Sequence, residues 1–207
     1  MIEIKDVDKI IQGKLVLDKI SLKINDNTLV LLSGHNGCGK TMLLRLIAGF
    51  IKPTEGSVNI FRKVRFGVII ENPSFFLNET ALYNMKYLAK INNIITEKDI
   101  LEWLKKFGLY EVRNNKVKTF SLGMKQRLAL CQAFMENPDI LLLDEPFNAI
   151  DEENLKKVIN LIYEFKNKGK IIIVASHGNI TNCRFDMIVK MKDGKIIKNQ
   201  TIKEKRK

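Results

Sequence analysis

Apolar and polar positions follow two different periods along this chain. The first 27 residues alternate loosely and end in a polar cluster at positions 25–27, which predicts short antiparallel strands followed by a turn. Leu29–Leu32 is a continuous apolar run, the pattern of a strand buried on both faces. Positions 41–48 carry apolar residues at helical spacing, and Gly49 follows where a helix would end. The sequence therefore predicts a strand, a glycine-rich loop and a helix in succession.

A helical block separates two parts of the chain that carry strand patterns. Residues 58–70 have strand character, whereas the stretch from about 74 to 137 shows helical spacing of its apolar residues. Three helices are predicted within that stretch, at residues 81–91, 96–107 and 121–135, with Thr96 as the N-cap of the second. We therefore expect this block to be an insertion.

Strands and helices alternate again after the helical block. Residues 139–144 form an apolar strand pattern, an amphipathic helix follows and ends at Gly169, and Ile171–Ala175 is another apolar run. Asp193-Gly194, between two apolar segments, predicts a hairpin turn. This alternation indicates an α/β fold with a mostly parallel sheet.

Length and composition fit a single folded domain. The chain has 207 residues, of which 45% are hydrophobic and 28% are charged, a balance typical of a globular protein with a buried core. Its apolar runs are far shorter than the ~20 residues that cross a bilayer, and its first residues lack the apolar core of a signal peptide. We expect neither a membrane span nor export, and the three widely spaced cysteines predict reduced thiols.

The charge of the chain is strongly positive and unevenly distributed. The net charge is +12, and residues 190–207 contain eight basic and two acidic side chains, so this end carries half of the excess. Such a charge indicates an anionic partner, which could be nucleic acid, a membrane surface or a polyanionic ligand. A solvated, frayed terminus is the simpler interpretation of the basic end.

The loop after the first buried strand carries a phosphate-binding motif. It matches the pattern G-x-x-x-x-G-K-[ST] with Gly34, His35, Asn36, Gly37, Cys38, Gly39, Lys40 and Thr41. The glycines allow successive backbone N–H groups to face an anion, and the following helix presents its positive end to the same place. Lys40 adds a positive charge near the β and γ phosphates, and the Thr41 hydroxyl is a candidate ligand of Mg²⁺. His35 and Cys38 fill variable positions of the motif.

A phosphate loop alone fits a kinase, a GTPase or many other nucleotide hydrolases, so a second element is required. The apolar strand at 139–144 supplies it, because it ends in the adjacent carboxylates Asp144 and Glu145. In this arrangement Asp144 can hold Mg²⁺, while Glu145, pointing the other way, can polarise the attacking water. A nucleotide with Mg²⁺ is therefore the expected ligand.

A third segment is similar to a known family. Residues 120–127, which read Phe-Ser-Leu-Gly-Met-Lys-Gln-Arg, resemble the signature segment of ABC transporter nucleotide-binding subunits and lie shortly before the Asp144 strand, as they do in that family. Asp151 matches the D-loop aspartate of the family, and His177 matches its switch histidine. The sequence is most similar to the ATPases of bacitracin-resistance and lantibiotic-immunity exporters in bacteria.

The resemblance implies a P-loop NTPase core with a mostly parallel sheet, an antiparallel β subdomain at the N-terminus and an inserted helical subdomain. On this basis residues 1–73 and 138–207 form the α/β core with its β subdomain, and residues 74–137 form the helical subdomain. All of them belong to one nucleotide-binding domain, residues 1–207.

The resemblance also implies roles for individual residues. The phosphate loop of one subunit binds ATP, and a second subunit completes the site around it. The Ser121 hydroxyl and the Gly123 N–H of that second subunit are aimed at the γ phosphate. Asp151 is placed with the nucleotide-binding residues, and Glu145 and His177 are the implied catalytic residues.

Several positions depart from the family pattern. Glu71 stands at the place of the Q-loop glutamine, where a carboxylate only accepts hydrogen bonds but remains a candidate ligand of Mg²⁺. Ile11 stands where the family usually has an aromatic residue against adenine, so we expect apolar contact instead of stacking and weak discrimination between bases. Leu122 and Met124 replace the usual glycine and glutamine of the signature segment.

The implied function is ATP hydrolysis that powers a membrane exporter of a peptide, drug or lipid-like molecule. The implied partners are a second nucleotide-binding subunit, in a homodimer or heterodimer, and a separate transmembrane permease, which would contact Glu71 and residues 72–93. The implied location is the cytoplasmic face of the cell membrane, with no nucleic acid as a partner.

Two other functions remain open at this point. A soluble ABC ATPase of iron–sulfur assembly or of nucleic-acid metabolism shares the same motifs, and the charge of +12 lends it weight. A small-molecule kinase would explain the phosphate loop, but it would not explain residues 120–127 or Asp151.

Overall fold

The predicted alternation of strands and helices is present in the computed structural model, which describes residues 1–71, 74–178 and 180–202. Residues 72–73, at the start of the expected permease contact, and residues 203–207 of the basic end lie outside the described residues. The strands are β1 (Ile2–Ile11), β2 (Lys14–Ile24), β3 (Leu29–Ser33), β4 (Glu55–Ile60), β5 (Phe66–Ile69), β6 (Ile140–Asp144), β7 (Ile171–Ser176), β8 (Met187–Lys192) and β9 (Lys195–Thr201). The α-helices are α1 (Lys40–Ile47), α2 (Ala81–Asn92), α3 (Glu97–Lys106), α4 (Leu122–Phe134) and α5 (Glu152–Asn167), and Val117–Thr119 is a 3₁₀ turn.

The central sheet has six strands in the order β5-β6-β7-β3-β8-β9. All neighbouring pairs are parallel except β8 and β9, which form the hairpin predicted at Asp193-Gly194. Both residues of that turn have positive φ, 47° and 78°, as a two-residue hairpin requires. The predicted α/β fold with a mostly parallel sheet is therefore confirmed.

Both faces of the central sheet are buried, which explains the continuous apolar runs. Successive residues of β3 join different cores: Leu29 and Leu31 pack on the side of α5 and the helical block, and Val30 and Leu32 pack on the side of α1. The strands β6 and β7 divide in the same way. A strand of this kind has no polar face, so its sequence shows no alternation.

The second sheet is antiparallel and has the order β2-β1-β4. Its strands β1 and β2 have 10 and 11 residues, longer than the short strands expected from the sequence. They are joined at Gln12-Gly13, where both φ angles are positive, whereas the polar cluster at 25–27 connects β2 to β3. Register shifts interrupt the β1–β2 pairing three times, and these irregularities explain why the alternation in the sequence is loose.

The helices of the block begin at side-chain caps. Thr80 and Ser121 accept hydrogen bonds from the N–H groups of Tyr83 and Met124 at the starts of α2 and α4. Thr96, the predicted cap, forms a complete capping box with Asp99 at the start of α3. The three helices lie within one or two residues of their predicted bounds because caps are local signals.

An aromatic cluster joins the helical block to α5. Phe134 of α4 is fully buried, and its ring centroid lies 4.8 Å from that of Phe165, 5.7 Å from that of Phe107 and 6.2 Å from that of Trp103.

Within the described ranges, no helix combines the length and hydropathy that a bilayer crossing requires.

Phe134→Ala is expected to lower the free energy of unfolding by about 3 to 5 kcal/mol, because it removes a buried ring and leaves a cavity between α4 and α5. Phe61 is 61% exposed and serves as the control, since Phe61→Ala should change stability by less than about 0.5 kcal/mol. Urea unfolding of both variants measures the difference, and equal losses would contradict the described core.

Candidate functional site

The phosphate loop connects the end of β3 to the start of α1. Gly39 is the N-cap of α1 with φ 106°, a conformation that other residues rarely adopt. The next residue, Lys40, is only 6% exposed, and its ammonium donates hydrogen bonds to the carbonyls of Gly34 at 2.6 Å and His35 at 3.1 Å. The loop therefore holds a positive charge at its centre, at the N-terminus of a helix, which is the arrangement that binds a phosphate.

The first glycine of the loop is required for close packing. A Cβ atom at Gly34 would lie 2.4 Å from the carbonyl oxygen of Met191 and 2.6 Å from the Sγ of Cys38. Cys38 is 1% exposed and packs into the core, so its side chain faces the protein interior. The variable position held by Cys38 thus has a structural role in the core.

The turn between β8 and β9 contacts the phosphate loop. The N–H of Gly194 donates to the carbonyl of Cys38 at 3.1 Å, and the imidazole Nε2 of His35 lies 3.4 Å from a carboxylate oxygen of Asp193. The sequence predicted this hairpin but gave no sign that it touches the phosphate loop, because the two segments are about 155 residues apart in the chain.

Thr41 and Asp144, both candidate ligands of Mg²⁺ from the sequence, are in direct contact. The Thr41 hydroxyl donates to the Asp144 carboxylate at 2.6 Å, although 103 positions separate them. A hydroxyl and a carboxylate side by side are oxygen donors of the type that Mg²⁺ prefers, so these two residues fit the ion. Burial raises the pKa of Asp144, and the charges of Glu145 and Glu71 raise it too, while the Thr41 hydrogen bond and the Lys40 charge oppose the shift.

Glu145 points away from Asp144, toward the end of β7. Its backbone has φ 46°, in the left-handed region. One carboxylate oxygen accepts a hydrogen bond from the His177 N–H at 2.8 Å and lies 2.6 Å from the imidazole Nδ1, and the other accepts from the Ser176 hydroxyl at 3.2 Å. The two predicted catalytic residues therefore contact each other directly.

A cleft of about 280 Å³ lies over the phosphate loop. Its lining residues are Val16, Asn36, Gly37, Gly39, Lys40, Thr41, Met42, Asp144 and Glu145. Val16 is the apolar side chain that β2 contributes to this lining, and it was missed in the sequence because no motif marks it. The predicted base contact Ile11 is not part of the lining and is 36% exposed at the end of β1.

The signature segment lies outside this cleft. Ser121 caps α4, and a Cβ atom at Gly123 would lie 2.4 Å from the carbonyl oxygen of Ala149, so α4 packs tightly against the segment that precedes Asp151. The Gln126 amide donates to the carbonyls of Glu145 and Pro146 at 3.4 and 3.1 Å. The structure does not bring Ser121 or Gly123 to the phosphate loop of their own chain.

Asp151 also has a local role in this chain. It is the N-cap of α5 and accepts hydrogen bonds from the backbone and side chain of Asn154 at 2.8 to 3.0 Å. These hydrogen bonds lower the pKa of its carboxyl. Like Ser121 and Gly123, it is absent from the lining of the cleft over the phosphate loop.

Glu71 contacts a residue that the sequence did not single out. The guanidinium of Arg45 donates to the Glu71 carboxylate at 2.7 Å. Glu71 also lines a second cleft together with Asp144 and Glu145. Arg45 lies in the last turn of α1, and its position four residues after Thr41 is the signal that could have placed it near the site.

Known protein sequences resemble this chain over most of its length. A family model described as ABC transporter matches residues 17–148. The chain is 42% identical to the uncharacterized ABC transporter ATP-binding protein YybJ of Bacillus subtilis (strain 168), over 95% of this chain and 94% of that protein. It is 34% identical to the lantibiotic transport ATP-binding protein SrtF of Streptococcus pyogenes, over 86% of this chain and 80% of SrtF. It is also 34% identical to the bacitracin transport ATP-binding protein BcrA of Bacillus licheniformis, over 86% of this chain and 61% of BcrA.

The fold of this chain also resembles solved structures. The dimeric structure of the ATP-binding cassette MJ0796 in a post-hydrolysis state, bound to ADP and Pi, superposes with a TM-score of 0.89 at 26% identity and covers 98% of this chain and 99% of that one. A second dimeric structure of MJ0796 gives a TM-score of 0.88 at 28% identity, with the same coverage. The predicted fold class and the predicted family resemblance are both confirmed.

Asp144→Asn is expected to raise the melting temperature of the nucleotide-free protein at neutral pH. Because the pKa of Asp144 is raised in the folded state, its charged form costs stability above that pKa, and asparagine removes the charge. The gain should vanish when the pH falls below 3.8, the ordinary value, where the carboxyl is protonated in both states. The melting temperatures of the parent and of Asp144→Asn, measured from neutral pH to below 3.8, test this expectation.

Asp99→Asn is the matched control with the opposite sign. Hydrogen bonds from Thr96 lower the pKa of Asp99, so its charge stabilises the fold above the ordinary pKa and the substitution should lower the melting temperature at neutral pH. A loss of stability in Asp144→Asn at neutral pH would contradict the assigned environment of Asp144.

Proposed function

The chain belongs to the ABC transporter family, and we propose that it binds and hydrolyses ATP to power a membrane exporter. One observation carries the proposal: the Thr41–Asp144 contact and the Glu145–His177 contact, each of 2.6 Å, lie at the same edge of the sheet as the buried Lys40. An anion site, an oxygen-donor pair and a carboxylate held by a histidine are the groups that phosphoryl transfer to water requires.

The phosphate loop binds and orients the triphosphate. Its N–H groups and the Lys40 ammonium face the β and γ phosphates, and Thr41 and Asp144 are the residues that would hold Mg²⁺. When bound, Mg²⁺ neutralises phosphate charge. The position of Val16 beside the loop supports an apolar contact with the base, in addition to the one proposed for Ile11.

Glu145 is placed to accept the proton of the attacking water. Its carboxylate is 25% exposed, and three groups fix its direction, the His177 N–H, the His177 imidazole and the Ser176 hydroxyl. His177 orients the general base and is also half exposed, so it remains free to contact a γ phosphate.

A second nucleotide-binding subunit completes the site. Ser121, Gly123 and Asp151 lie outside the cleft of their own chain, as expected if they act on the nucleotide of a partner in a head-to-tail dimer. The N-terminus of α4 would then direct its positive end at the γ phosphate. The MJ0796 structures, in which the similar cassette is dimeric, support this arrangement.

A groove between β5 and the helical block is the proposed permease contact. Its volume is about 420 Å³, and its lining includes Leu88 and the apolar side chains of Phe50 and Ile91, which are 63% and 71% exposed. Exposed apolar side chains along a groove are typical of protein interaction sites. Leu88 and Ile91 belong to residues 72–93, the stretch for which the resemblance implies contact with a permease at the cytoplasmic face of the membrane.

The export of a peptide, drug or lipid-like molecule is supported by the relatives SrtF and BcrA, named for lantibiotic and bacitracin transport. The chain spans less than two thirds of the length of BcrA.

Glu145→Gln is expected to reduce ATP hydrolysis by about a hundredfold or more, because an amide cannot accept the proton of the attacking water. Binding of Mg-ATP should persist, and ATP should convert the variant to a dimer detectable by light scattering. Glu102→Gln, on the exposed side of α3, is the control and should hydrolyse ATP at the parent rate. Undiminished turnover by Glu145→Gln would refute the catalytic assignment.

Ile91→Asp is expected to lower co-purification with the proposed transmembrane permease by about tenfold, because it places a charge in the apolar groove. Nucleotide binding by the isolated subunit should not change. Ile197 on β9 is 60% exposed and lies outside the groove lining, so Ile197→Asp is the matched control. Equal recovery of the membrane protein with both variants would place the contact elsewhere.

A further inference from the structure

The contact between Arg45 and Glu71 joins two segments of the site that the motifs treat separately. Arg45 lies on α1, the helix whose first residues are Lys40 and Thr41. Glu71 lies two residues after β5, with φ 61° in the left-handed region. The single hydrogen bond of 2.7 Å between their side chains therefore ties the segment after β5 to the helix that carries the phosphate loop.

The charge of Glu71 acts at the same edge as the proposed magnesium ligands. Glu71 lines one cleft with Asp144 and Glu145, so three carboxylates are grouped there. Its negative charge is one of the causes that raise the pKa of Asp144. A polyphosphate brought to this edge meets more negative charge than it would beside a neutral amide, and like charges in a partly buried site repel.

Arg45 supplies the opposite charge at close range. Its side chain is 33% exposed and that of Glu71 is 61% exposed, so solvent weakens the pair, and as a stabiliser of the fold it is worth little. Its effect on a bound polyanion is different, because the guanidinium cancels the charge of Glu71 and also fixes the direction of the carboxylate.

We propose that Arg45 is a positioning residue for Mg-ATP binding. Arg45 neutralises and orients Glu71, so that a carboxylate is tolerated beside the phosphates. The inference rests on the proposed function. It makes the two residues a unit: Arg45 matters because position 71 is a glutamate, and it becomes dispensable when position 71 is a glutamine.

A double-mutant cycle tests this coupling. The full chain is prepared as the parent, Arg45→Met, Glu71→Gln and the double variant, and the dissociation constant of Mg-ATP is measured by titration, alongside KM, kcat and the melting temperature. Arg45→Met should weaken Mg-ATP binding by about tenfold with kcat nearly unchanged. Glu71→Gln should stay within about tenfold of the parent in turnover, and the double variant should bind Mg-ATP within about twofold of Glu71→Gln.

Two further variants separate a positioning role from a structural one. Arg45→Lys keeps the charge and should recover most of the affinity lost in Arg45→Met. Arg62, whose guanidinium lies 3.6 Å from the carboxylate of Asp26, is the control arginine, and Arg62→Met should leave Mg-ATP binding unchanged. If Arg45→Met fails to fold, Arg45→Gln replaces it in the cycle, alone and combined with Glu71→Gln, because it also removes the charge.

The outcomes distinguish this inference from the proposed function. Equal loss of affinity from Arg45→Met with glutamate or glutamine at position 71, or no loss with glutamate, overturns the role of Arg45. If the parent chain binds no Mg-ATP, or if Glu145→Gln hydrolyses ATP normally, it is the proposed function that fails.

Discussion

Backbone hydrogen bonds between β6, β7 and β3 set the register of three strand ends at one edge of the central sheet. In that register Ser33 lies beside Ser176, and Asp144 lies beside Ala175. The phosphate loop follows Ser33, Glu145 follows Asp144 and His177 follows Ser176. Thr41 therefore reaches Asp144, and Glu145 reaches His177, within hydrogen-bond distance. A shift of the register by one residue would turn every side chain of a strand to the opposite face and separate these groups.

The burial of both faces of the sheet makes this register specific and also places charges where they are costly. Each of the strands β3, β6 and β7 divides its apolar side chains between two cores, which stabilises one pairing strongly over others. At the edge of the same sheet, Lys40 is buried and Asp144 is partly buried. Carbonyl groups and a hydroxyl stabilise them in part, and a nucleotide with its metal ion would complete their coordination.

The helical block couples this edge to distant surfaces. The tight contact of Gly123 with Ala149 and the hydrogen bonds of Gln126 link α4 to the loop that follows Glu145. The aromatic cluster around Phe134 then connects α4 to α5, whose N-cap is Asp151. The proposed dimer contacts and the proposed permease groove are thereby attached to one packed core.

The sequence by itself determined the local features of this protein. The phosphate loop between β3 and α1, the Thr96 cap and the Asp193-Gly194 hairpin depend on residues that are neighbours in the chain, so spacing and side-chain chemistry suffice to predict them. The order of the motifs, together with the resemblance that they carry, extended this to the fold class and to Thr41 and Asp144 as candidate ligands of one Mg²⁺. The direct contact of Glu145 with His177 came from the structure.

The tertiary structure alone decided the long-range contacts. Val16 beside the phosphate loop, the Gly194 N–H on the carbonyl of Cys38 and the Arg45 guanidinium on Glu71 have no periodic or motif signal, because each depends on how separate elements pack. The length of the strands β1 and β2 was underestimated from the sequence for a related reason, since the register shifts between them break the alternation that marks a strand. Periodicity reports which face of an element is buried, and it does not report which residue of another element lies against it.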